Sequence, residues 1–251
     1  MRASNATQSD ASSALSLEDL RFSYGPMPVL FGVSFAVAAG EAVALVGTNG
    51  AGKSTILRLV AGLERPEAGR VVFDGHDVTG VGAEELSRRG VVLVRGGIGV
   101  FADLTVAENL DLQAAVSSVA RPSSAETQER ALEVFPALAG KLRLPAGRLS
   151  GGERQQLALA KAIVGRPRLL CIDELSLGLS PVTTDTLLEH VGAINAAGVP
   201  VLLVEQSLEL AAAVCARAVF IEKGEVRFDG PSRQLLKRRD LLRPVFMDAP
   251  G

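Results

Sequence analysis

The sequence lacks a strong charge of either sign. Its 26 lysines and arginines are balanced by 28 aspartates and glutamates, which leaves a formal net charge of −2 over 251 residues. A near-neutral chain disfavours a binder of duplex DNA that works by neutralising many phosphates. We therefore expect no nucleic-acid partner.

Long hydrophobic runs are also missing, although hydrophobic residues make up 47% of the chain. A membrane-spanning helix needs about 20 mainly apolar residues, and the apolar stretches at 42–46, 169–172 and 201–204 are far shorter. The polar N-terminus has no apolar centre of the kind found in a secretory signal. Two cysteines cannot hold a chain of this length together, which favours a reduced, intracellular protein.

Short apolar stretches alternate with segments of helical periodicity along most of the chain. Residues 1–14 are polar and are predicted to form a flexible tail. Strands follow to about residue 46, and then a helix over 54–61 and a strand over 70–74 are predicted. From Pro167 onward strands and helices alternate again. This alternation predicts an α/β fold with a mainly parallel sheet.

The segment from about 84 to 165 has a different character, because strands become scarce and helical periods dominate. Helices are predicted over 106–119, 125–138 and 155–164. We expect this segment to be a helical subdomain inserted into one domain that spans residues 15–251.

A glycine-rich loop joins an apolar strand to the helix at 54–61. It consists of Gly47, Thr48, Asn49, Gly50, Ala51, Gly52, Lys53 and Ser54, followed by Thr55, and matches G-x-x-x-x-G-K-[ST] in full. Such a loop can turn successive N–H groups inward, and the helix N-terminus adds partial positive charge. Lys53 is expected to reach the β- and γ-phosphates of a nucleotide, and Ser54 to bind Mg²⁺. The alternative is a plain glycine-rich turn between strand and helix.

Two carboxylates, Asp173 and Glu174, end the apolar strand at 169–172. Ligand sites of open α/β sheets lie at the carboxyl ends of parallel strands. Asp173 is predicted to hold Mg²⁺ through water, and Glu174 to orient and deprotonate the attacking water. The alternative is that two acids simply end a strand. Cys171, inside the strand, is predicted to fill the core.

A third motif precedes a long helix, about 20 residues before the acidic strand. It consists of Leu149, Ser150, Gly151, Gly152 and Glu153, and continues with Arg154-Gln155-Gln156. Its Ser-Gly-Gly segment at a helix N-terminus forms a second anion-binding nest. This third motif resembles the signature motif of ABC ATPases. Together with the other two motifs it extends the resemblance to that family over the chain from about Leu15 onward.

The resemblance implies a P-loop NTPase (RecA-like) parallel-sheet core with an N-terminal antiparallel β subdomain and an inserted α-helical subdomain. It implies ATP and Mg²⁺ as cofactors and ATP hydrolysis as the activity. In this family the signature of one subunit closes over the nucleotide of its partner. The resemblance therefore implies a head-to-tail dimer with a homologous ATPase subunit, in which the loop at 178–181 contacts the opposite subunit.

Two further positions carry over from the family singly. Tyr24 precedes the phosphate loop by the spacing of the aromatic residue that stacks on adenine; the alternative is a half-buried strand aromatic. Gln206 stands at the switch position, where most ABC ATPases have a histidine that senses the γ-phosphate. A glutamine can donate a hydrogen bond there but cannot carry positive charge. Neither His76 nor His190 can replace that histidine, and both are predicted to be surface residues.

Val204-Glu205-Gln206 and the stretches at 104–110 and 173–181 resemble one branch, the ATP-binding subunits of importers for branched-chain amino acids, urea or amides. That branch implies transmembrane permease subunits, indirectly a substrate-binding protein, and a location at the cytoplasmic face of the cell membrane. Two positions depart from the pattern. Gly96 stands where most relatives have glutamine or glutamate, and Leu175 replaces the usual proline, so both the hydrolysis rate and the coupling to transport are open.

Three other functions on the same fold remain possible. An exporter ATPase for lipids or lipopolysaccharide is disfavoured by Gln206. A translation factor or DNA-repair ATPase is disfavoured because the chain has room for one cassette and lacks sustained heptads. A regulatory subunit that binds ATP but hydrolyses it slowly is kept open by Gly96.

Overall fold

A six-stranded sheet forms the centre of the computed structural model, which describes residues 13–96, 99–117, 122–238 and 240–241. Its strands are β3 (Ala42–Gly47), β6 (Val91–Arg95), β7 (Leu169–Asp173), β8 (Val201–Val204), β9 (Arg217–Glu222) and β10 (Glu225–Pro231). They lie in the order β10-β9-β3-β8-β7-β6. All neighbours pair in parallel except β10, which runs antiparallel to β9 at one edge. The predicted mainly parallel sheet is confirmed.

A second, antiparallel sheet is built from the N-terminal part of the chain. Its strands are β1 (Ser13–Tyr24), β2 (Met27–Ala38), β4 (Ala68–Phe73) and β5 (His76–Asp77). They lie in the order β2-β1-β4-β5. Residues 13 and 14 belong to β1 and not to the predicted tail, because the Ala14 carbonyl accepts a hydrogen bond from the Asp74 N–H at 3.0 Å. The rest of that predicted tail, 1–12, lies outside the described residues.

Eight α-helices occur within the described residues, together with two short 3₁₀ helices at Pro136–Lys141 and Ala146–Arg148. The α-helices are α1 (Lys53–Val60), α2 (Ala83–Arg88), α3 (Val106–Ser117), α4 (Ser124–Val134), α5 (Gly151–Val164), α6 (Pro181–Ala196), α7 (Leu208–Val214) and α8 (Ser232–Leu235). In this part of the chain, none of them has the length and apolar character needed to cross a membrane. The helical insertion begins after β6 and not at about residue 84, because β6 pairs in parallel with β7 in the central sheet.

Two apolar clusters cover the two faces of the central sheet. One cluster contains the buried side chains of α3, α5 and α6, and the other contains those of α1 and the antiparallel sheet. Alternate residues of β3 serve the two clusters: Ala42 and Ala44 pack with the first, Val43 and Leu45 with the second. Strands that are buried on both faces read as continuous apolar runs, which explains their short, unbroken pattern in the sequence.

Serine residues determine where two of the helices begin. Ser150 Oγ accepts a hydrogen bond from the Glu153 N–H at 3.3 Å, and Glu153 Oε2 accepts one from the Ser150 N–H at 3.1 Å. This reciprocal capping box starts α5. Ser180 caps α6 by accepting from the Thr183 N–H at 3.3 Å, and Pro181 occupies the first helical position. Both helix starts are therefore determined by local sequence.

Candidate nucleotide-binding site

The glycine-rich loop runs from the end of β3 to the first residue of α1. Gly52, immediately before α1, has a φ angle of 102°, in the left-handed region that favours glycine. A Cβ atom at this position would lie 2.6 Å from Leu30 Cδ2. Both the backbone conformation and the lack of space therefore require glycine at the point where the loop becomes a helix.

Lys53 is folded back over this loop. Its Nζ donates to the carbonyl oxygen of Gly47 at 2.7 Å and to that of Thr48 at 3.0 Å. The side chain is buried, and burial lowers the pKa of the Lys53 ammonium, while the nearby carboxylates of Glu174 and Asp173 raise it. An ammonium group that donates to two backbone carbonyls at the mouth of a glycine-rich loop is suited to a phosphate group.

Ser54 and Asp173 connect the loop to the acidic strand. Ser54 Oγ donates to Asp173 Oδ1 at 3.0 Å, across 119 residues of sequence. Burial raises the pKa of the Asp173 carboxyl, and the hydrogen bond from Ser54 opposes this shift. Hydroxyl and carboxylate oxygens are the hard ligands that Mg²⁺ prefers, so the two residues fit the predicted metal.

Glu174 and Gln206 lie side by side at the ends of β7 and β8. Gln206 Nε2 donates to Glu174 Oε1 at 2.9 Å. The Glu174 N–H donates to the Val204 carbonyl oxygen at 3.0 Å, which fixes the strand end beside β8. Glu174 has a φ angle of 53°, an uncommon left-handed conformation for a residue with a side chain. The structure thus brings together five residues predicted from separate motifs: Lys53, Ser54, Asp173, Glu174 and Gln206.

Tyr24 is the last residue of β1 and is 43% exposed. Its ring packs edge-to-face against Phe22, with 4.8 Å between the ring centroids and an interplanar angle of 86°. A ring held by its neighbour and open to solvent is a suitable platform for a flat base. The stacking of adenine on Tyr24 stays a prediction.

The signature motif lies at the N-terminus of α5, on the face of the central sheet opposite to α1. Leu149 is buried, while Ser150 and Glu153 are engaged in the capping box. Glu153 also forms an ion pair with Lys141 at 2.7 Å. The motif is therefore rigidly placed, and its role on a partner's nucleotide stays a prediction.

The two histidines differ from each other. His76 is exposed, as predicted, but His190 is half-buried against the ring of Phe135, with 4.5 Å between the ring centroids. Burial lowers the pKa of His190. The prediction of a surface position was wrong for His190, because the helix that carries it turns this face towards the apolar cluster that contains Phe135. Cys171 is completely buried, as predicted, and burial raises the pKa of its thiol to about 12.

Sequence reasoning missed two buried charged residues, of which Glu205 lies next to Gln206 and Lys161 lies in α5. Glu205 is 1% exposed, and burial raises the pKa of its carboxyl against the hydrogen bonds from Ser176 and Leu175. Lys161 in α5 is 6% exposed; its Nζ donates to the Gly99 carbonyl and lies 4.7 Å from the centroid of the Phe101 ring. The available signal was a single charged residue inside or directly after an apolar run in each case.

The ABC transporter family model matches residues 30–176. The high-affinity branched-chain amino acid transport ATP-binding protein BraG of Pseudomonas aeruginosa is 35% identical over 212 residues, which cover 84% of this chain and 90% of that protein. The methionine import ATP-binding protein MetN of Caulobacter vibrioides is 34% identical over 240 residues, which cover 92% of this chain and 70% of that protein.

The fold also matches solved structures. The ADP conformation of an ATP-binding cassette of an ABC transporter superposes with a TM-score of 0.83 at 24% identity, covering 94% of this chain and 99% of that one. The predicted α/β P-loop fold is thereby confirmed. The phosphate loop, the signature and the acidic strand all fall inside the matched residues. The chain belongs to the ABC transporter family, whose ATP-binding subunits are ATPases.

Proposed function

We propose that this chain binds MgATP and hydrolyses it as the energy-coupling subunit of an ABC importer. The observation that carries the proposal is the cluster at the carboxyl edge of the central sheet. There Lys53 is buried in the phosphate loop, Ser54 is hydrogen-bonded to Asp173, and Gln206 is hydrogen-bonded to Glu174. Anion binding, a hard-metal site and a candidate base thus meet at one edge.

Each residue of the cluster has a separate role in this proposal. Lys53 binds the β- and γ-phosphates, with the loop residues and Thr55 at the start of α1 as further nucleotide contacts. Ser54 and Asp173 hold Mg²⁺, which when bound supplies charge neutralisation to the phosphates. Glu174 accepts the proton of the attacking water, and the Gln206 amide orients the Glu174 carboxylate. Tyr24 stacks on adenine.

The importer part of the proposal rests on two relatives, which are named for the transport of branched-chain amino acids and of methionine. Val204-Glu205-Gln206 favours the first. We therefore propose an amino acid, or a related small polar solute, as the transported molecule. The partners are transmembrane permease subunits at the cytoplasmic face of the cell membrane, with a substrate-binding protein acting indirectly.

The proposed active form is a head-to-tail dimer with a homologous ATPase subunit. The signature residues 149–153 of one subunit would close over the nucleotide of the other. The capping box of α5 supports this role, because it fixes the helix start at Gly151 and Gly152, whose backbone N–H groups belong to the first helical turn.

One observation favours a second candidate, a regulatory subunit that binds ATP but hydrolyses it slowly. Gly96 offers no side chain at a position that faces the Asp173 and Glu174 backbone. Losing a side chain that acts in the transition state lowers kcat without a matching change in binding. The two candidates therefore differ in turnover and agree in nucleotide affinity.

Steady-state ATP turnover of the purified chain and of Glu174→Gln tests the proposal. We expect wild-type turnover at about 1 per second or faster, loss of at least about 10²-fold in the variant, and unchanged MgATP binding in both. If both proteins bind MgATP and both are inert, the regulatory candidate replaces the ATPase. For the importer role, the chain should co-purify from its native cells with a protein of many transmembrane helices, and recovery with ribosomes or DNA would contradict it.

A further inference from the structure

Glu174 holds a backbone conformation that needs support from its surroundings. Its φ angle of 53° lies in the left-handed region, which is unfavourable for a residue with a Cβ atom relative to the right-handed region. Such a conformation persists only where neighbouring contacts determine it. The contacts of the residues before and after Glu174 therefore determine the direction of its carboxylate.

On the C-terminal side, the support comes from the buried carboxylate of Glu205. Glu205 Oε1 accepts the N–H of Leu175 at 3.0 Å and that of Ser176 at 3.2 Å, and Glu205 Oε2 accepts the Ser176 hydroxyl at 2.7 Å. A carboxylate is an acceptor-only group, and here both of its oxygens are used. The turn that follows Glu174 is thus tied to the residue next to Gln206.

On the N-terminal side, the support comes from the backbone of Gly96. Its N–H donates to the Asp173 carbonyl oxygen at 2.9 Å. A Cβ atom on Gly96 would lie 2.1 Å from the Glu174 carbonyl oxygen, so no side chain fits there in this conformation. The absence of a side chain at position 96 therefore matches the direction in which the Glu174 carbonyl points.

We infer that Glu205 is a positioning residue for hydrolysis, which fixes the turn at 174–176 so that the Glu174 carboxylate meets the Gln206 amide. The inference rests on the proposed ATPase function and extends it to a residue that is 1% exposed and acts through the turn after Glu174. Leu175 has a part in it, because its N–H donates to the Glu205 carboxylate. A proline at position 175 has no N–H, and it also favours an extended conformation at the preceding residue.

Gly96 and Leu175, which both depart from the usual pattern of the related branch, therefore support the same conformation of Glu174. Gly96 gives the Glu174 carbonyl room, and Leu175 gives Glu205 a donor. In this arrangement the lack of a side chain at position 96 is a condition for the observed direction of Glu174.

The test compares kcat and KM for ATP in Glu205→Ala, Glu205→Gln and Leu175→Pro. The alanine variant removes the hydrogen bonds from Leu175 and Ser176, and we expect kcat to fall about 10²-fold with KM changed by less than about threefold. The glutamine variant still offers Oε1 to both N–H groups and can donate to Ser176 Oγ, so kcat should return to within about threefold of wild type. Leu175→Pro removes one N–H donor and leaves the two from Ser176, so kcat should fall about threefold to tenfold.

Glu41→Ala is the matched control, because Glu41 also holds a turn through a backbone N–H, that of Ala38 at 2.9 Å, but at the opposite end of β3 from the phosphate loop. It should lose stability and keep kcat. If Glu205→Ala does not fold, Ser176→Ala removes only the hydroxyl bond and should lower kcat about threefold to tenfold.

The outcomes separate this inference from the function it rests on. An active wild type with an equally active Glu205→Ala overturns the positioning role and leaves the ATPase intact. A joint loss of kcat and MgATP binding in Glu205→Gln also overturns it, since the role is then general to the fold. An inert wild type that binds MgATP overturns the proposed hydrolysis, and the positioning role falls with it.

Discussion

Gln206 Nε2 donates a hydrogen bond to Glu174 Oε1 at 2.9 Å, so the proposed switch residue and the candidate base are in direct contact. The side-chain amide of glutamine does not titrate, so it can donate this hydrogen bond whatever the pH. A histidine at the same position would change its charge near neutral pH. The pair is therefore expected to work without a titrating group at position 206.

Replacing Gln206 tests this contact. Gln206→Ala removes the donor, and we expect kcat to fall about tenfold to a hundredfold because the Glu174 carboxylate loses its orientation. Gln206→Glu has the same shape but places a second carboxylate beside Glu174, so its kcat should fall further. The measurement is steady-state ATP turnover, and an alanine variant with wild-type kcat would show that the contact is incidental.

Gly52→Ala tests the geometry of the phosphate loop. The new Cβ would meet Leu30 Cδ2 at 2.6 Å in a left-handed backbone, so we expect a loss of about 1–2 kcal/mol in the free energy of unfolding and a loss of MgATP binding. Gly192→Ala in α6 is the control, because a Cβ there meets nothing within 4 Å. Gly192→Ala should raise the free energy of unfolding by about 0.5–1 kcal/mol, because alanine is favoured over glycine inside a helix. Urea unfolding and nucleotide titration measure both variants.

Tyr24→Ala tests the adenine platform. Removing a stacking ring costs roughly 1–3 kcal/mol per base, so the Kd for ATP should rise about tenfold, while Tyr24→Phe keeps the ring and the affinity. Inorganic triphosphate has no base, and its affinity should be the same in all three proteins. Phe31→Ala removes another half-exposed aromatic, in β2, and should leave both affinities unchanged. Equal weakening for triphosphate would contradict stacking.

Lys161 predicts a pH dependence of stability. Burial lowers the pKa of its ammonium from the usual 10.5 to about 8. Between these two pH values the unfolded chain holds the proton and the folded protein does not, so the free energy of unfolding rises with pH across this window. The slope has an upper limit of about 1.4 kcal/mol per pH unit, and solvent screening lowers it because the ammonium is not fully enclosed.

The measurement is the difference in the free energy of unfolding between wild type and Lys161→Met at several pH values from 7 to 10.5. The difference should move in favour of wild type as the pH rises through about 8. Lys237→Met, which removes an exposed lysine, controls for the loss of one positive charge. Parallel curves for wild type and Lys161→Met would mean that Lys161 does not titrate in this window.

The residues of the phosphate loop and the acidic strand could be predicted from the sequence because their chemistry is encoded in short, contiguous patterns. Lys53 and Ser54 belong to one such pattern, and Asp173 ends an apolar strand. Their convergence follows from parallel strands that end at one edge of a sheet. The start of the helical insertion was missed, because β6 is a short apolar run that helical periodicity does not distinguish from a buried helix segment.

The role of Glu205 could not be predicted, because its hydrogen-bond donors lie 29 and 30 residues earlier in the chain. Only the pairing of β7 with β8 brings them together. His190 was missed for a similar reason, since its contact with Phe135 depends on how two helical segments pack. Local patterns define motifs, whereas the direction of a polar side chain in the core depends on tertiary packing.

The alternation along β3 has a consequence for how this protein can change over time. Val43 and Leu45 press on the layer that carries α1, while Ala42 and Ala44 press on the layer that carries α5. Substitutions in the layer that carries α5 can thus be accommodated at Ala42 and Ala44, while the packing of Val43 and Leu45 is unchanged. The sheet therefore separates the packing of the layer that carries α1 from the packing of the layer that carries α5 and the signature residues.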